Sequence, residues 1–138
     1  MFNVLADISW LSVLIAFVPY FILGALWFTL LFSRPYKISL GIENDPQQKP
    51  APIFIIGPAL CCLVITIASA ILIYALKIDS YEDALIFAVI IGVGYLVANT
   101  VNIAINPNIP RPLLYGLISG AYHFVGILIV CIVLVAMK

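Results

Sequence analysis

Four long stretches of the chain contain no Asp, Glu, Lys or Arg, at roughly residues 8–33, 53–76, 84–105 and 113–137. Each is about 22 to 26 residues long, and a helix rising 1.5 Å per residue needs about 20 apolar residues to cross a hydrocarbon core of about 30 Å. Inside lipid every backbone N–H and C=O must find its partner within the segment, so each stretch should be a helix. The pattern predicts an all-α fold: an integral membrane bundle of four transmembrane helices in a single domain, residues 1–138.

The connections between these spans are short, with the exception of residues 34–52. Ser80 followed by Asp83 is a capping-box pattern, which predicts that the third helix begins near Tyr81. Residues 106–111 form a Pro- and Asn-rich turn, and Pro112 suits the first turn of the fourth helix. Short connectors predict antiparallel neighbours, whereas we expect the 34–52 loop to lie in or on the headgroup region.

The composition narrows the classes of function. The chain is 65% hydrophobic and only 9% charged, against about 25% charged in ordinary soluble domains. Six basic and six acidic side chains give zero formal net charge, so no polybasic surface points to a nucleic acid. We therefore expect membrane lipid, and no nucleic acid, as a partner.

Orientation rests on a small difference in the number of basic residues. The 34–52 and 106–111 connectors carry Arg34, Lys37, Lys49 and Arg111, and the opposite side carries Lys77 and Lys138. The positive-inside rule then favours both termini outside and the 34–52 loop in the cytoplasm.

Polar residues inside the third and fourth spans follow a helical spacing. In the third span the intervals are 3, 4, 3 and 4, which places the members on one seam: Gly92, Tyr95, Asn99, Asn102 and Asn106. In the fourth span the spacing is 3, 4 and 3, for Gly116, Ser119, His123 and Gly126, and Gly116 with Gly120 forms a GxxxG pattern. Because a tight turn joins the two spans, we expect the seams to face each other and to bring His123, Tyr95 and Asn99 together.

Two interpretations of these seams stay open. In the first, small and polar residues hold the bundle or an oligomer together, and the packing residues are Gly92, Gly116, Ser119, Gly120 and Gly126. In the second, polar residues at membrane depth line a ligand pocket or pathway, and the candidates are Tyr95, Asn99, Asn102 and His123.

Catalytic and metal sites find little support in the sequence. The chain has one His and no acidic residue within a span, which excludes the usual metal triads and a His–carboxylate pair. Ser119 and His123, one turn apart, leave intramembrane catalysis as the only exception. Cys61, Cys62 and Cys131 lie within spans and should behave as small apolar residues. We expect no enzyme activity, metal or cofactor.

Aromatic and basic residues cluster at the end of the first span. Trp27, Phe32, Arg34 and Tyr36 match the side chains that anchor helices at a membrane interface.

Several short motifs together resemble a known family. They are Gly24-Ala25-Leu26-Trp27-Phe28 with Leu31-Phe32 and Arg34-Pro35-Tyr36, Gly92-Val93-Gly94-Tyr95 with Asn99-Thr100, and Gly120-Ala121-Tyr122-His123. The chain resembles an uncharacterised bacterial family of four-helix membrane proteins catalogued as domain of unknown function 1761. Phe28 and Tyr36 depart from the Tyr and Trp usual there, but both keep an aromatic ring. The resemblance implies a bacterial inner (cytoplasmic) membrane location and implies no activity.

The leading hypothesis is therefore a non-enzymatic helical bundle that acts by self-association or as a subunit of a membrane complex. The alternative is a protein that binds or transports a lipid or small molecule at the polar seam between the third and fourth helices.

Overall fold

The computed structural model describes residues 2–46 and 51–138 and confirms the all-α class. Four helices in it are long and apolar enough to cross a membrane, and we call them the first to fourth spans: Trp10–Leu31, Ile53–Ala75, Tyr81–Ala104 and Pro112–Ala136. A short 3₁₀ helix, Phe2–Ala6, precedes them, and an eight-residue helix, Ser33–Leu40, follows the first span. We call Ser33–Leu40 the interfacial helix.

The ends of the spans follow from local chemistry. Ser9 caps the first span by accepting a hydrogen bond from the Ser12 N–H at 3.3 Å. The predicted start of the third span at Tyr81 is confirmed: the Ser80 hydroxyl accepts from the Asp83 N–H at 3.0 Å and donates to the Asp83 carboxylate at 2.8 Å. Pro112 occupies the first turn of the fourth span, where its missing N–H leaves no hydrogen bond unmade.

The fourth span is the centre of the bundle. It packs against the first and second spans on one side and against the third on another. In its most apolar 18-residue segment half of the residues are buried, whereas about a fifth are buried in the corresponding segment of each other span. Ile127, Val130 and Leu134 are fully enclosed. The remaining spans therefore bury a much smaller share of their residues inside the bundle.

A π-helical turn interrupts the third span at Gly92–Val97. Such a turn contains an extra residue, which rotates everything after it by about 100° around the helix axis. The side that faces the fourth span accordingly runs through Ala88 and Gly92 and then, five residues on, through Val97 and Val101. A second π-helical turn, Trp27–Leu31, ends the first span.

The interfacial helix lies over the start of the fourth span. The Arg111 N–H donates to the Ser39 carbonyl at 3.2 Å, and the Tyr36 and Tyr115 rings are 5.8 Å apart. The helix ends at Gly41, whose φ of 70° is the left-handed conformation typical of a helix C-terminus. Of the predicted 34–52 loop, residues 47–50, with Lys49, lie outside the described residues.

Candidate functional site

A group of interacting polar side chains inside the bundle lies between the first, second and fourth spans. It consists of Tyr20, Cys62, Tyr122 and His123, and we call it the tyrosine–histidine cluster. The Tyr20 side chain is fully buried, and its hydroxyl forms a 2.7 Å hydrogen bond with His123 Nδ1. Their two rings meet edge to face at 6.2 Å. The first and fourth spans are thus joined by a polar contact in the interior of the protein.

Tyr122 connects this pair to the second span. Its hydroxyl lies 3.1 Å from Cys62 Sγ and donates a long hydrogen bond of 3.5 Å to the Tyr20 carbonyl. The Tyr122 ring packs 5.4 Å from the Tyr20 ring and 5.3 Å from the Phe28 ring. Cys62 therefore does more than fill space, because its thiol is a hydrogen-bond partner for a buried phenol.

Two glycines make room for the two tyrosine rings. A methyl group on Gly24 would lie 2.8 Å from the Tyr122 hydroxyl, and one on Gly126 would overlap the Tyr20 ring. Each span therefore gives one large ring and one small residue to the contact. The motif around Gly24 in the first span and the Tyr122-His123 motif in the fourth span therefore pack directly against each other.

The predicted interfacial aromatics pack largely against the protein. The Trp27 indole N–H donates to the Ile118 carbonyl at 3.0 Å, and its ring lies 4.6 Å from the Phe32 ring. The Phe28 and Tyr36 rings meet edge to face at 4.8 Å. Arg34 is exposed, whereas the other three predicted anchors, Trp27, Phe32 and Tyr36, are partly buried.

Burial also changes the acidity of Tyr36, which lies beyond the end of the first span. Desolvation, with a smaller contribution from the neighbouring Tyr115 hydroxyl, raises the pKa of Tyr36 from 10.0 to about 12. The phenol therefore stays neutral over the whole physiological range.

The expected cluster of His123 with Tyr95 and Asn99 does not form. Tyr95 is 67% exposed, and Asn99 and Asn102 are exposed on the outer face of the third span. His123 instead turns toward Tyr20. The reason is the π-helical turn at Gly92–Val97: the 3-4-3-4 spacing marks one face only if the helix is regular, and here the helix rotates within the seam.

The predicted packing residues lie on the inner side of the bundle. Methyl groups on Gly116 and Gly120 would lie 3.0 Å from Val101 and 3.2 Å from Val97, and one on Gly92 would lie 2.9 Å from Phe124. The GxxxG pattern is therefore filled by the third span of the same chain. Ser119 is 4% exposed, and its hydroxyl has no hydrogen-bond partner among the described residues.

Sequence reasoning missed Tyr20 and Cys62 and used Tyr122 only as part of a motif. A usable signal was equal depth: Tyr20 lies eleven residues before the end of the first span, and His123 lies eleven residues after the start of the fourth. Because these spans run in opposite directions, equal counts from the same membrane surface place the two side chains at one level.

The chemistry that this cluster offers is neutral hydrogen bonding. Phenol, imidazole and thiol each donate and accept, and two pairs form within the bundle: the Tyr20 hydroxyl with His123 Nδ1, and the Tyr122 hydroxyl with Cys62 Sγ. Among residues 2–46 and 51–138, no three His, Cys, Asp or Glu side chains lie close enough together to hold a metal ion.

Comparison with curated proteins and with solved structures gives no significant match. The family model described as a protein of unknown function, DUF1761, matches residues 11–135, which include the first-span motif, the π-helical turn of the third span and the Tyr122-His123 pair. The chain belongs to the DUF1761 family.

Proposed function

We propose that the protein is a non-enzymatic helical bundle that works as an assembly, with the outer face of the third span as its contact surface. The observation that carries the proposal is a stripe of exposed polar side chains, Tyr95, Asn99 and Asn102, on a helix apolar enough to lie in lipid. We call it the third-span stripe. Asn99 and Asn102, three residues apart in the regular helix after the π-helical turn, lie on one side of it, and Tyr95 is likewise exposed.

Depth makes these side chains costly to expose to lipid. Tyr95 is nine residues from the end of the third span at Ala104, which is about 14 Å along the helix. Asn99 is five residues from that end and Asn102 only two, about 7.5 Å and 3 Å, so the cost falls mainly on Tyr95 and Asn99. An amide or hydroxyl moved from water into hydrocarbon without a partner costs about 4–8 kcal/mol. Among the described residues neither Asn99 nor Asn102 has a side-chain hydrogen bond, so a partner from outside the chain would relieve this cost.

A second copy of the chain is the partner that this chemistry favours. Amide and phenol groups both donate and accept, so the same stripe on two chains related by a twofold axis satisfies itself. Val97 and Val101 of the third span also line a shallow apolar groove of about 410 Å³ with Gly116, Leu117 and Phe124 of the fourth span. The Gly116/Gly120 pattern is already filled within the chain, which leaves the third span as the better contact surface.

Native mass spectrometry of the protein released gently from its own membranes tests this. We expect a defined oligomer of this chain alone, and a shift to single chains when Tyr95→Phe and Asn99→Leu are combined. Leu60→Ala and Val64→Ala, which change lipid-exposed residues of the second span, are the matched controls and should leave the oligomer intact. A single chain from the wild type, or an oligomer unchanged in the double variant, would overturn the proposal. A complex with a different protein would replace self-association by a subunit role.

We also propose a bacterial inner membrane location with both termini outside. The orientation is supported by the excess of basic residues, Arg34, Lys37, Lys49 and Arg111, on the side of the 34–52 and 106–111 connectors, and the location is what the family resemblance implies. A reporter active only in the cytoplasm, inserted at residue 45, should be active, and the same reporter fused after Lys138 should be silent. The reverse pattern would contradict this orientation.

A further inference from the structure

A charged groove lies where the first span leaves the membrane. It has a volume of about 530 Å³ and is enclosed by the end of the first span, the interfacial helix and the loop that follows. Leu30 and Ile38 form its apolar part, Arg34 and Lys37 its basic part, and Glu43 contributes a carboxylate. The groove is separate from both the tyrosine–histidine cluster and the third-span stripe.

The charged side chains of this groove form no ion pairs within residues 2–46 and 51–138. Within the described residues, neither Arg34 nor Lys37 forms an ion pair with an Asp or Glu, and Glu43 has no basic partner. Arg34 and Lys37 are three residues apart on the interfacial helix, so their side chains lie on the same side of it. The two basic side chains and the Glu43 carboxylate are therefore available to bind a ligand that carries both a negative and a positive charge.

The position of the groove matches the level of lipid headgroups. Leu30 is 72% exposed and is the next-to-last residue of the first span, so it lies where the hydrocarbon ends. Arg34 and Lys37 follow within the next two helical turns, where long basic side chains reach the headgroup region. A ligand held here would have an apolar tail beside Leu30 and a polar head beside the basic residues.

We propose that this groove binds a phospholipid with a primary-amine headgroup, of the phosphatidylethanolamine class. Arg34 and Lys37 hold the phosphate, the Glu43 carboxylate accepts hydrogen bonds from the ammonium group, and an acyl chain runs along Leu30. Charge-assisted hydrogen bonds of this kind are the strong ones. A choline headgroup has no N–H to donate to Glu43, and an anionic headgroup meets repulsion from it, so the groove discriminates among phospholipids.

Lipid retention on the full-length chain tests the assignment. The purified protein is exchanged into vesicle-derived nanodiscs containing equal amounts of phosphatidylethanolamine, phosphatidylcholine and phosphatidylglycerol, released gently, and its bound lipid is quantified by native mass spectrometry. We expect one phosphatidylethanolamine per chain, retained about tenfold over phosphatidylcholine, which is the difference made by one charge-assisted hydrogen bond. Glu43→Gln should abolish that preference, and Arg34→Gln with Lys37→Gln should reduce the retention of every phospholipid.

Arg111→Gln is the matched control. Arg111 is an exposed cation at the same end of the bundle but is not part of the groove, so its loss should leave the preference intact. The thermal unfolding midpoint of each variant, measured in detergent, checks that the bundle remains folded. Equal retention of the three lipids by the wild type would overturn the proposal. A preference for phosphatidylglycerol would also overturn it. So would an equal rise of the thermal unfolding midpoint with inorganic phosphate alone, because that would indicate a simple anion site.

Discussion

The Tyr20 hydroxyl and His123 Nδ1 lie 103 residues apart in the chain and 2.7 Å apart in space. This hydrogen bond ties the first span to the fourth at the level where Gly126 admits the Tyr20 ring. Tyr20 is buried and His123 is partly buried, so the hydrogen bond is a polar contact between two predominantly apolar helices.

Replacing Tyr20 with Phe should weaken the bundle. The change keeps the ring and removes only the hydroxyl, so the free energy of unfolding should fall by about 0.6 to 1.7 kcal/mol, the range for interhelical hydrogen bonds in membranes. Tyr95→Phe is the control, since its ring is exposed and it should leave the stability of the single chain unchanged. Unfolding in mild detergent, followed by circular dichroism, measures both. Equal losses in the two variants would argue against the hydrogen bond as a source of stability.

A double-mutant cycle isolates the pair itself. Combining Tyr20→Phe with His123→Phe should cost less than the sum of the two single changes, because the bond can be lost only once. If the double variant loses as much free energy of unfolding as the two single variants together, Tyr20 and His123 are not coupled.

Gly126→Ala should destabilise the protein far more than Gly94→Ala. A methyl group at residue 126 overlaps the Tyr20 ring, whereas one at residue 94 has no atom within 4 Å. Overpacking of this kind costs about 1 to 3 kcal/mol, while Gly94→Ala should gain stability from its higher helix propensity. The same detergent unfolding assay compares them, and a Gly126→Ala variant as stable as the wild type would show that the Tyr20 ring is not fixed there.

Ser119→Ala should be neutral or stabilising, in contrast to Ser69→Ala. Both hydroxyls are buried, but Ser69 donates to the Ile65 carbonyl at 2.8 Å, while Ser119 has no hydrogen-bond partner among the described residues. Removing an unsatisfied hydroxyl removes its desolvation cost, so the two variants should differ by about 1 kcal/mol in favour of Ser119→Ala. A larger loss for Ser119→Ala would reveal a partner for that hydroxyl in the assembled protein.

Tyr36 should lose its phenolic proton at a higher pH than an ordinary tyrosine does. Burial raises the pKa of Tyr36 from 10.0 to about 12, so the folded state holds its proton when the unfolded state has lost it. The neutral form is the stabilised one; its contribution is complete below pH 10 and is lost as the pH rises toward 12. Ultraviolet titration of tyrosinate in the wild type and in Tyr36→Phe isolates this group. A difference curve centred near 10 instead of 12 would contradict the burial.

The sequence alone determined the number of helices long enough to cross a membrane and, to within about three residues, where they begin and end. Four charge-free stretches of sufficient length leave the backbone no alternative to helices in lipid, and Ser80, Asp83 and Pro112 mark boundaries through their own hydrogen-bonding chemistry. These are local effects, so they can be read without knowing which helices touch. The short motifs that resemble the DUF1761 family could also be recognised from the sequence alone, and the family model matches residues 11–135.

Only the tertiary structure decided which faces turn inward. In water an apolar stripe marks the core, but lipid tails are as apolar as Leu, so Leu30 or Leu117 on the outside looks no different in sequence from Leu134 in the centre. The π-helical turn at Gly92–Val97 then turned Tyr95 and Asn99 away from His123. The partners Tyr20 and Cys62 come from other spans, and their contacts depend on how glycines let the helices approach. Those distances arise from packing between segments, which no local pattern encodes.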